Sequence, residues 1–150
     1  MLVRRLEDRD LARVAALSDE AFPEAHESAN RVDVSGLREE LRRPIARVFV
    51  LEIEGQLQGF FIGWLVADEL QVHSVAVAVA RRNQGLATGF LKQVLHAASA
   101  EGARVAALEL RVSNRAAYAL YARLGFYEVG HRESYYANGD AAVLMQYDYG

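Results

Sequence analysis

A chain of 150 residues is long enough to bury one good core and short for two. With 52% hydrophobic and 25% charged residues, it lies outside the low-hydrophobicity, high-charge range of disordered chains. A net charge of −3 argues against a general nucleic-acid binder and suits an amine substrate, while the absence of cysteine excludes disulfides, a thiolate nucleophile and a cysteine zinc site. The expectation is one domain over residues 1–150 without a metal site. The start, Met1-Leu2-Val3-Arg4-Arg5-Leu6, soon turns charged and holds no apolar run suited to a signal peptide or membrane span, so the cytoplasm is the expected compartment.

In chain order, Leu2 to Leu6 suits a short strand. Asp8 or Asp10 is placed to cap a helix with the stripe Leu11, Val14, Ala15, Ser18 and Phe22, which Pro23 stops. The polar segment from Glu24 to Asn30, with His26, is either a solvated connection or a cover over a substrate. Ser35 is placed to open a second helix that Pro44 ends. Val48 to Glu52 reads as an alternating strand, Glu54-Gly55 as a turn, and Gln58 to Val66 as the returning strand of a hairpin. Leu70 to Val77 is the next strand. Strict alternation puts Gln71, His73, Val75 and Val77 on one face and Leu70, Val72, Ser74 and Ala76 on the other. His73 among valines is either a satisfied core side chain or a base.

After Gly85 comes a helix carrying Ala87, Phe90, Leu91, Val94, Leu95 and Ala98 at helical spacing, closed by Glu101-Gly102. Val105 to Val112 reads as a central strand, apolar except for Glu109 and Arg111, which share a face. A buried carboxylate there needs a justification, either an ion pair with Arg111 or a catalytic duty. Ser113 or Asn114 caps a last helix with the stripe Ala117, Leu120, Tyr121 and Leu124, ended by Gly125. Tyr121 on that stripe is a core aromatic whose hydroxyl needs a partner. Phe126 to Glu133 and Ala141 to Tyr149 read as two strands around an Asn138-Gly139 turn.

The turn between the strand ending at Val77 and its following helix reads Arg81-Arg82-Asn83-Gln84-Gly85-Leu86-Ala87. Gly85 and Ala87 leave the backbone uncovered, helix-start amides and dipole favour an anion, and two arginines add charge. It is either the plain start of a packed helix or a pyrophosphate site. The order Arg82-x-x-Gly85-x-Ala87, after Ser74-Val75-Ala76-Val77, resembles the coenzyme A loop of the Gcn5-related N-acetyltransferases. Leu108-Glu109-Leu110-Arg111-Val112-Ser113-Asn114 and Leu120-Tyr121-Ala122-Arg123-Leu124-Gly125-Phe126 resemble the second half of that family's core, most closely its ribosomal-protein N-terminal alanine acetyltransferase branch. The specific match runs from about Ser74 to Tyr136. Two places depart from that branch: Glu24 stands where a tryptophan usually follows Phe22-Pro23, and Asn83 where arginine is common.

Pattern alone gives α/β or α+β. The resemblance implies a mixed sheet of about seven strands with about four helices, splayed between the strand ending at Val77 and the strand holding Glu109. It implies acetyl-coenzyme A as donor and coenzyme A as product, held by Val75, Ala76, Val77, Arg82, Asn83, Gln84, Gly85, Leu86, Ala87, Thr88 and Asn114. Glu109 is implied as general base, Tyr121 as general acid, and a backbone N–H near Val75 as the group that polarises the thioester carbonyl. The expected reaction is direct attack by a primary amine in a ternary complex, with a protein N-terminal α-amine as acceptor. His73, Tyr135 and Tyr136 are weaker substrate candidates. Polyamine or aminoglycoside acetylation, and non-catalytic binding of coenzyme A thioesters, are the alternatives.

Overall fold

In the computed structural model, residues 1–24, 27, 31–82, 85–136 and 139–150 are described. The chain runs β1 (Leu2–Arg5), α1 (Leu11–Ala21), α2 (Val34–Arg42), β2 (Ala46–Ile53), β3 (Gln56–Val66), β4 (Glu69–Val77), α3 (Leu86–Ala100), β5 (Val105–Arg111), α4 (Arg115–Leu124), β6 (Tyr127–Arg132) and β7 (Ala142–Asp148). The seven strands form one sheet in the order β1-β2-β3-β4-β5-β7-β6. Neighbours joined by turns pair antiparallel, whereas β4 and β5 are linked by the α3 crossover and pair parallel. This is the expected mixed sheet, and among the described residues no helix is long and apolar enough to cross a membrane.

Helices cover both faces. Phe90, Leu91 and Val94 of α3 pack with Phe49, Leu51, Phe61, Leu70, Leu108 and Leu110 on one side. Leu11, Val14 and Leu17 of α1 and Leu37 of α2 pack with Val48, Val50, Phe60, Ile62 and Ala76 on the other. Covering by two layers explains a departure in β2: Val48, Phe49, Val50 and Leu51 are all buried, rather than alternating between core and solvent. Leu17, outside the expected stripe of α1, is also part of its buried face.

Two caps differ from expectation. Asp33, one residue before α2, accepts a hydrogen bond from Gly36 N–H at 2.8 Å, so Ser35 lies inside the helix rather than opening it. Asp10 precedes α1 but makes no side-chain cap to it. Its carboxylate instead accepts two hydrogen bonds from the Arg4 guanidinium, at 2.7 and 2.9 Å, and one from Glu7 N–H at 2.7 Å. Arg4 also donates to Glu52 at 2.6 Å, tying β1 and β2 to the start of α1. Asn138, in the expected last turn, lies outside the described residues.

Register carries a larger correction. Ile62 pairs with Ser74 and Gly63 with Val72, so His73 is an extra residue in β4. The strict alternation breaks there. Leu70, Val72 and Val75 all belong to the α3 side, while Ser74, opposite Ile62, shares the α1 side with Ala76. Gly63 faces this bulge because a Cβ there would lie 2.5 Å from the Gln71 carbonyl oxygen.

The hydrogen bonds from Arg4 hold the Asp10 carboxyl below its ordinary range, against the opposing effect of burial. Its stabilising contribution is therefore present above the unfolded-state carboxylate pKa, near ~3.9, and is lost as pH falls through the lower folded value. Asp10→Asn is expected to cost about 3 kcal/mol at pH 7, because it leaves Arg4 half-paired in a part-buried site. Denaturant unfolding at pH 7 and below pH 3 checks this: the gap between variant and wild type should shrink in acid.

Candidate active site

The site begins where two strands part. β4 and β5 pair through Glu69 with Val105, Leu70 with Ala106 and Gln71 with Ala107. Beyond that, β4 stays with β3 as far as Val77, and β5 stays with β7 as far as Arg111. The separating edges bound a cleft of about 160 Å³ lined from β4 by Val72 to Val75 and from β5 by Leu108 to Arg111. Asn114, Ala117 and Tyr121 of α4 line it too, as do Tyr136 and, from the α1–α2 connection, Phe22 and Glu27. The expected splay is present at the expected strands.

Each strand presents different chemistry to the two faces. Leu108 and Leu110 belong to the α3 and α4 core, so the intervening Glu109 points to the α1 side. Glu109 is exposed, and its Oε1 accepts a long hydrogen bond, 3.4 Å, from the Tyr135 hydroxyl. The expectation of a carboxylate in a doubly covered strand is therefore corrected: the sheet is open at this point, and no burial penalty needs explaining. Arg111 does not supply the ion pair considered from sequence. Its guanidinium lies 3.8 Å from Asp140 and 4.0 Å from the centre of the Tyr136 ring. Ser113 donates to the same Asp140 carboxylate at 2.9 Å.

Tyr121 belongs to the opposite face, buried in the α3 and α4 core with its ring edge-on to Phe126 at 5.2 Å. Burial pushes its hydroxyl pKa well above the ordinary tyrosine value, so the proton stays on the oxygen at neutral pH. His73, the bulged residue, is exposed and packs edge-on against Trp64 at 4.6 Å. Partial desolvation lowers its pKa against the opposing pull of Glu40 and Glu109, leaving the imidazole neutral at pH 7. Tyr136 lines the cleft, and its ring meets Tyr135 edge-on at 5.2 Å. The structure thus gathers His73, Glu109, Tyr121, Asn114 and Tyr136 around one cleft, with Tyr135 reaching it through Glu109.

The predicted anion loop follows the β4 edge. A single tight turn over Val79–Arg81 is anchored by a hydrogen bond from Val79 N–H to Glu20 of α1 at 2.9 Å, and Arg82 Nε donates to the Val77 carbonyl at 3.4 Å. Gly85 caps α3 with φ at +73°, the left-handed conformation that favours glycine, and a Cβ there would meet open space. Leu86, Ala87 and Thr88 form the first turn of α3, where amides have no partner within the helix. Asn83 and Gln84 lie outside the described residues. Val75 lines the cleft, while the side chains of Ala76 and Val77 are buried. Asn114 Oδ1 accepts from Ala117 N–H at 3.2 Å, which makes it the cap of α4 in addition to a cleft residue.

Sequence reading missed Asp140, which joins Arg111 and Ser113, and gave no weight to Ser74 or Glu27. Phe22 was read as the end of a core stripe, and it is also part of the cleft wall. Their only sequence signal was position next to a predicted strand or helix end. His26, the other residue named in the α1–α2 connection, lies outside the described residues.

The open β4 edge and the bare helix start fit a long amide-bearing arm that ends in a pyrophosphate, as in coenzyme A. Comparison with known proteins agrees. The profile of the Acetyltransferase (GNAT) family matches residues 11–126. The [ribosomal protein bS18]-alanine N-acetyltransferase of Escherichia coli K12 is 36% identical over 100 residues, covering 65% of this chain and 68% of that protein. An N-alpha-acetyltransferase of Sulfurisphaera tokodaii is 35% identical over 120 residues, covering 71% and 72%. The solved ribosomal-protein-S18-alanine N-acetyltransferase of Escherichia coli superposes with a TM-score of 0.84 at 27% identity, covering 98% of this chain and 92% of that one. A family profile spanning both halves of the splay and the loop at α3, together with these relatives, makes the chain a member of the GNAT family of acetyltransferases, which draw their acetyl group from acetyl-coenzyme A.

Proposed function

We propose that residues 1–150 form one acetyltransferase domain that acetylates the α-amino group of a protein N-terminus beginning with a small residue such as alanine. The observation that carries this reading is the position of Glu109: an exposed carboxylate on the α1 face of the splay, opposite a buried, protonated Tyr121 on the α3 face. The resemblance to N-terminal alanine acetyltransferases supports the choice of acceptor.

Acetyl-coenzyme A, when bound, supplies an acyl group already activated as a thioester. The β4 backbone at Val75, Ala76 and Val77 would hold its arm, Arg82, Asn83, Gln84 and the amides of Gly85, Leu86, Ala87 and Thr88 would hold its pyrophosphate, and Asn114 would contact the arm. The amine enters from the other face. Glu109 takes the proton that the ammonium must lose before its nitrogen has a lone pair. An α-ammonium with pKa near ~8 costs roughly 1–1.5 kcal/mol to deprotonate at pH 7, and a lysine near ~10.4 roughly 4.5 kcal/mol. A carboxylate base therefore serves the α-amine better. A backbone N–H near Val75 would be the donor to the acyl oxygen, and Tyr121 Oη would give its proton to the departing sulfur. Tyr135, Tyr136 and His73 form the wall against which the first peptide residues pack.

Glu109→Gln and Tyr121→Phe are expected to lower turnover about 100-fold or more, the usual worth of general acid–base groups, while coenzyme A affinity measured by calorimetry stays within about twofold. Wild-type turnover in both variants would remove them from the chemistry and leave His73 as the next base to test. Gly85→Asp is expected to weaken coenzyme A binding by about tenfold or more, since it strains a left-handed position and sets a negative charge at the pyrophosphate. Unchanged affinity would take the loop out of the site. For the acceptor, mass spectrometry of an Ala-initiated peptide with an internal lysine should find acetyl on the α-amine. Acetyl on the lysine alone, or spermidine consumed in preference to peptide, would reassign the substrate, and binding without any turnover would make the chain a sensor.

A further inference from the structure

Among the polar atoms near the cleft, the Ser74 hydroxyl stands apart. Its Oγ has almost no accessible surface and no hydrogen-bond partner among the described residues. Buried polar groups are overwhelmingly paired in folded proteins, and an unpaired one is less stable than the alanine or valine that would fill the same space. The surrounding strand is built from such residues: Val72, Val75, Ala76 and Val77. A hydroxyl kept there without a partner points to one that arrives with a ligand.

Its position says which ligand. The His73 bulge turns Ser74 to the α1 face, opposite Ile62, rather than to the face of Tyr121. Glu109 on β5 points to that same face, and both residues line the cleft, one from each side of the splay. The α1 face is the acceptor side in the function proposed above, on which this inference rests. A primary ammonium carries three N–H groups. Glu109 takes one as a proton; of the two left on the neutral amine, one can be given to a hydroxyl oxygen on the facing strand. The hydrogen bond to β4 fixes the nitrogen between the strands, and rotation about it carries the lone pair left by the lost proton from Glu109 toward the acyl carbon.

We infer that Ser74 is an acceptor-binding residue whose hydroxyl, after rotation about its Cα–Cβ bond, receives an N–H of the amine and orients the nitrogen for attack. The proton balance is unchanged: Ser74 keeps its own proton, Glu109 receives the one lost by the ammonium, and Tyr121 supplies the one gained by the sulfur.

Ser74→Ala tests this, since it deletes one buried oxygen and leaves an ordinary strand residue. The expected result is a fall of about tenfold in kcat/KM for the amine, corresponding to about 1.4 kcal/mol, with coenzyme A affinity and acceptor-free thiol release unchanged and thermal stability equal to or above wild type. A merely structural hydroxyl would move stability and leave kcat/KM alone. Retention of kcat/KM within twofold of wild type overturns the inference, as does a loss of coenzyme A affinity matching the loss of activity. Ser74→Cys, which keeps the volume but offers a much weaker acceptor, should fall with Ser74→Ala; wild-type activity in the cysteine variant also overturns it. The comparison is made on whichever amine the wild type acetylates, so a wild type that ignores Ala-initiated peptides counts against the proposed acceptor and not against Ser74.

Discussion

The structure turns on the short reach of one parallel strand pair. β4 and β5 keep company for three residues, after which each follows its antiparallel partner, β3 on one side and β7 on the other. The bulge at His73 lies just past the last shared residue, and bulges bend a strand and raise its local twist. Gly63 makes this possible from the neighbouring strand, since any side chain there would collide with the Gln71 carbonyl. A strand edge in mid-sheet has backbone donors and acceptors that must be satisfied by something. Water satisfies such groups one at a time, whereas an extended arm with amide groups would do so in register.

The opening also divides the chemistry between two environments. On the α3 side the helices pack densely, and Tyr121 is held among apolar neighbours that keep its proton in place. On the α1 side the cover is partial, so Glu109 meets solvent. A proton donor gains from burial because its neutral form is the useful one, whereas a carboxylate base must remain charged and gains from exposure. The sheet separates the two, because Glu109 faces away from its strand neighbours Leu108 and Leu110, on whose side α4 packs Tyr121.

Much of this was legible in the sequence, and the failures have physical causes. The helix stripes of α3 and α4 and the glycines at 85 and 125 follow from side-chain period and from left-handed backbone, which are local properties. Element order was readable from side-chain period and turn residues, and the place of the splay from the family resemblance that Arg82-x-x-Gly85-x-Ala87 and the residues around Glu109 and Tyr121 carry. The facing of β4 was not, since a single extra residue reverses every later side chain and leaves no mark on composition. Nor were the partners of Asp10 and Arg111. A carboxylate before a helix reads as a cap, and a charged pair at i and i+2 reads as an ion pair. Arg4 lies six residues from Asp10, and Asp140 lies 29 positions beyond Arg111; only the folded sheet brings them together.

The acceptor side shows a different construction from the cofactor side. Coenzyme A would contact regular elements, a strand edge and two helix starts, whose geometry is set by the core. Apart from Ser74 and Glu109 on the strands, the acceptor would contact the ends of elements and the segments between them: Phe22 and Glu27 after α1, Arg111 at the end of β5 and Tyr136 ahead of β7. Segments of this kind tolerate substitution better than strands, because few core contacts depend on them. Here part of that wall is nonetheless braced. Asp140 accepts from Ser113, pairs with Arg111, and through its carbonyl accepts from Tyr136 N–H at 3.0 Å, while Arg111 stacks on the Tyr136 ring. One side of the acceptor cleft is thus fixed to the strand that carries Glu109, so that the aromatic wall and the base keep their spacing. The opposite side, from α1, is joined to the cofactor loop instead, through Glu20 and the Val79 amide. Among the described residues the two walls are thus tied to different elements, one to the end of β5 through Asp140 and the other to the turn after β4 through Glu20.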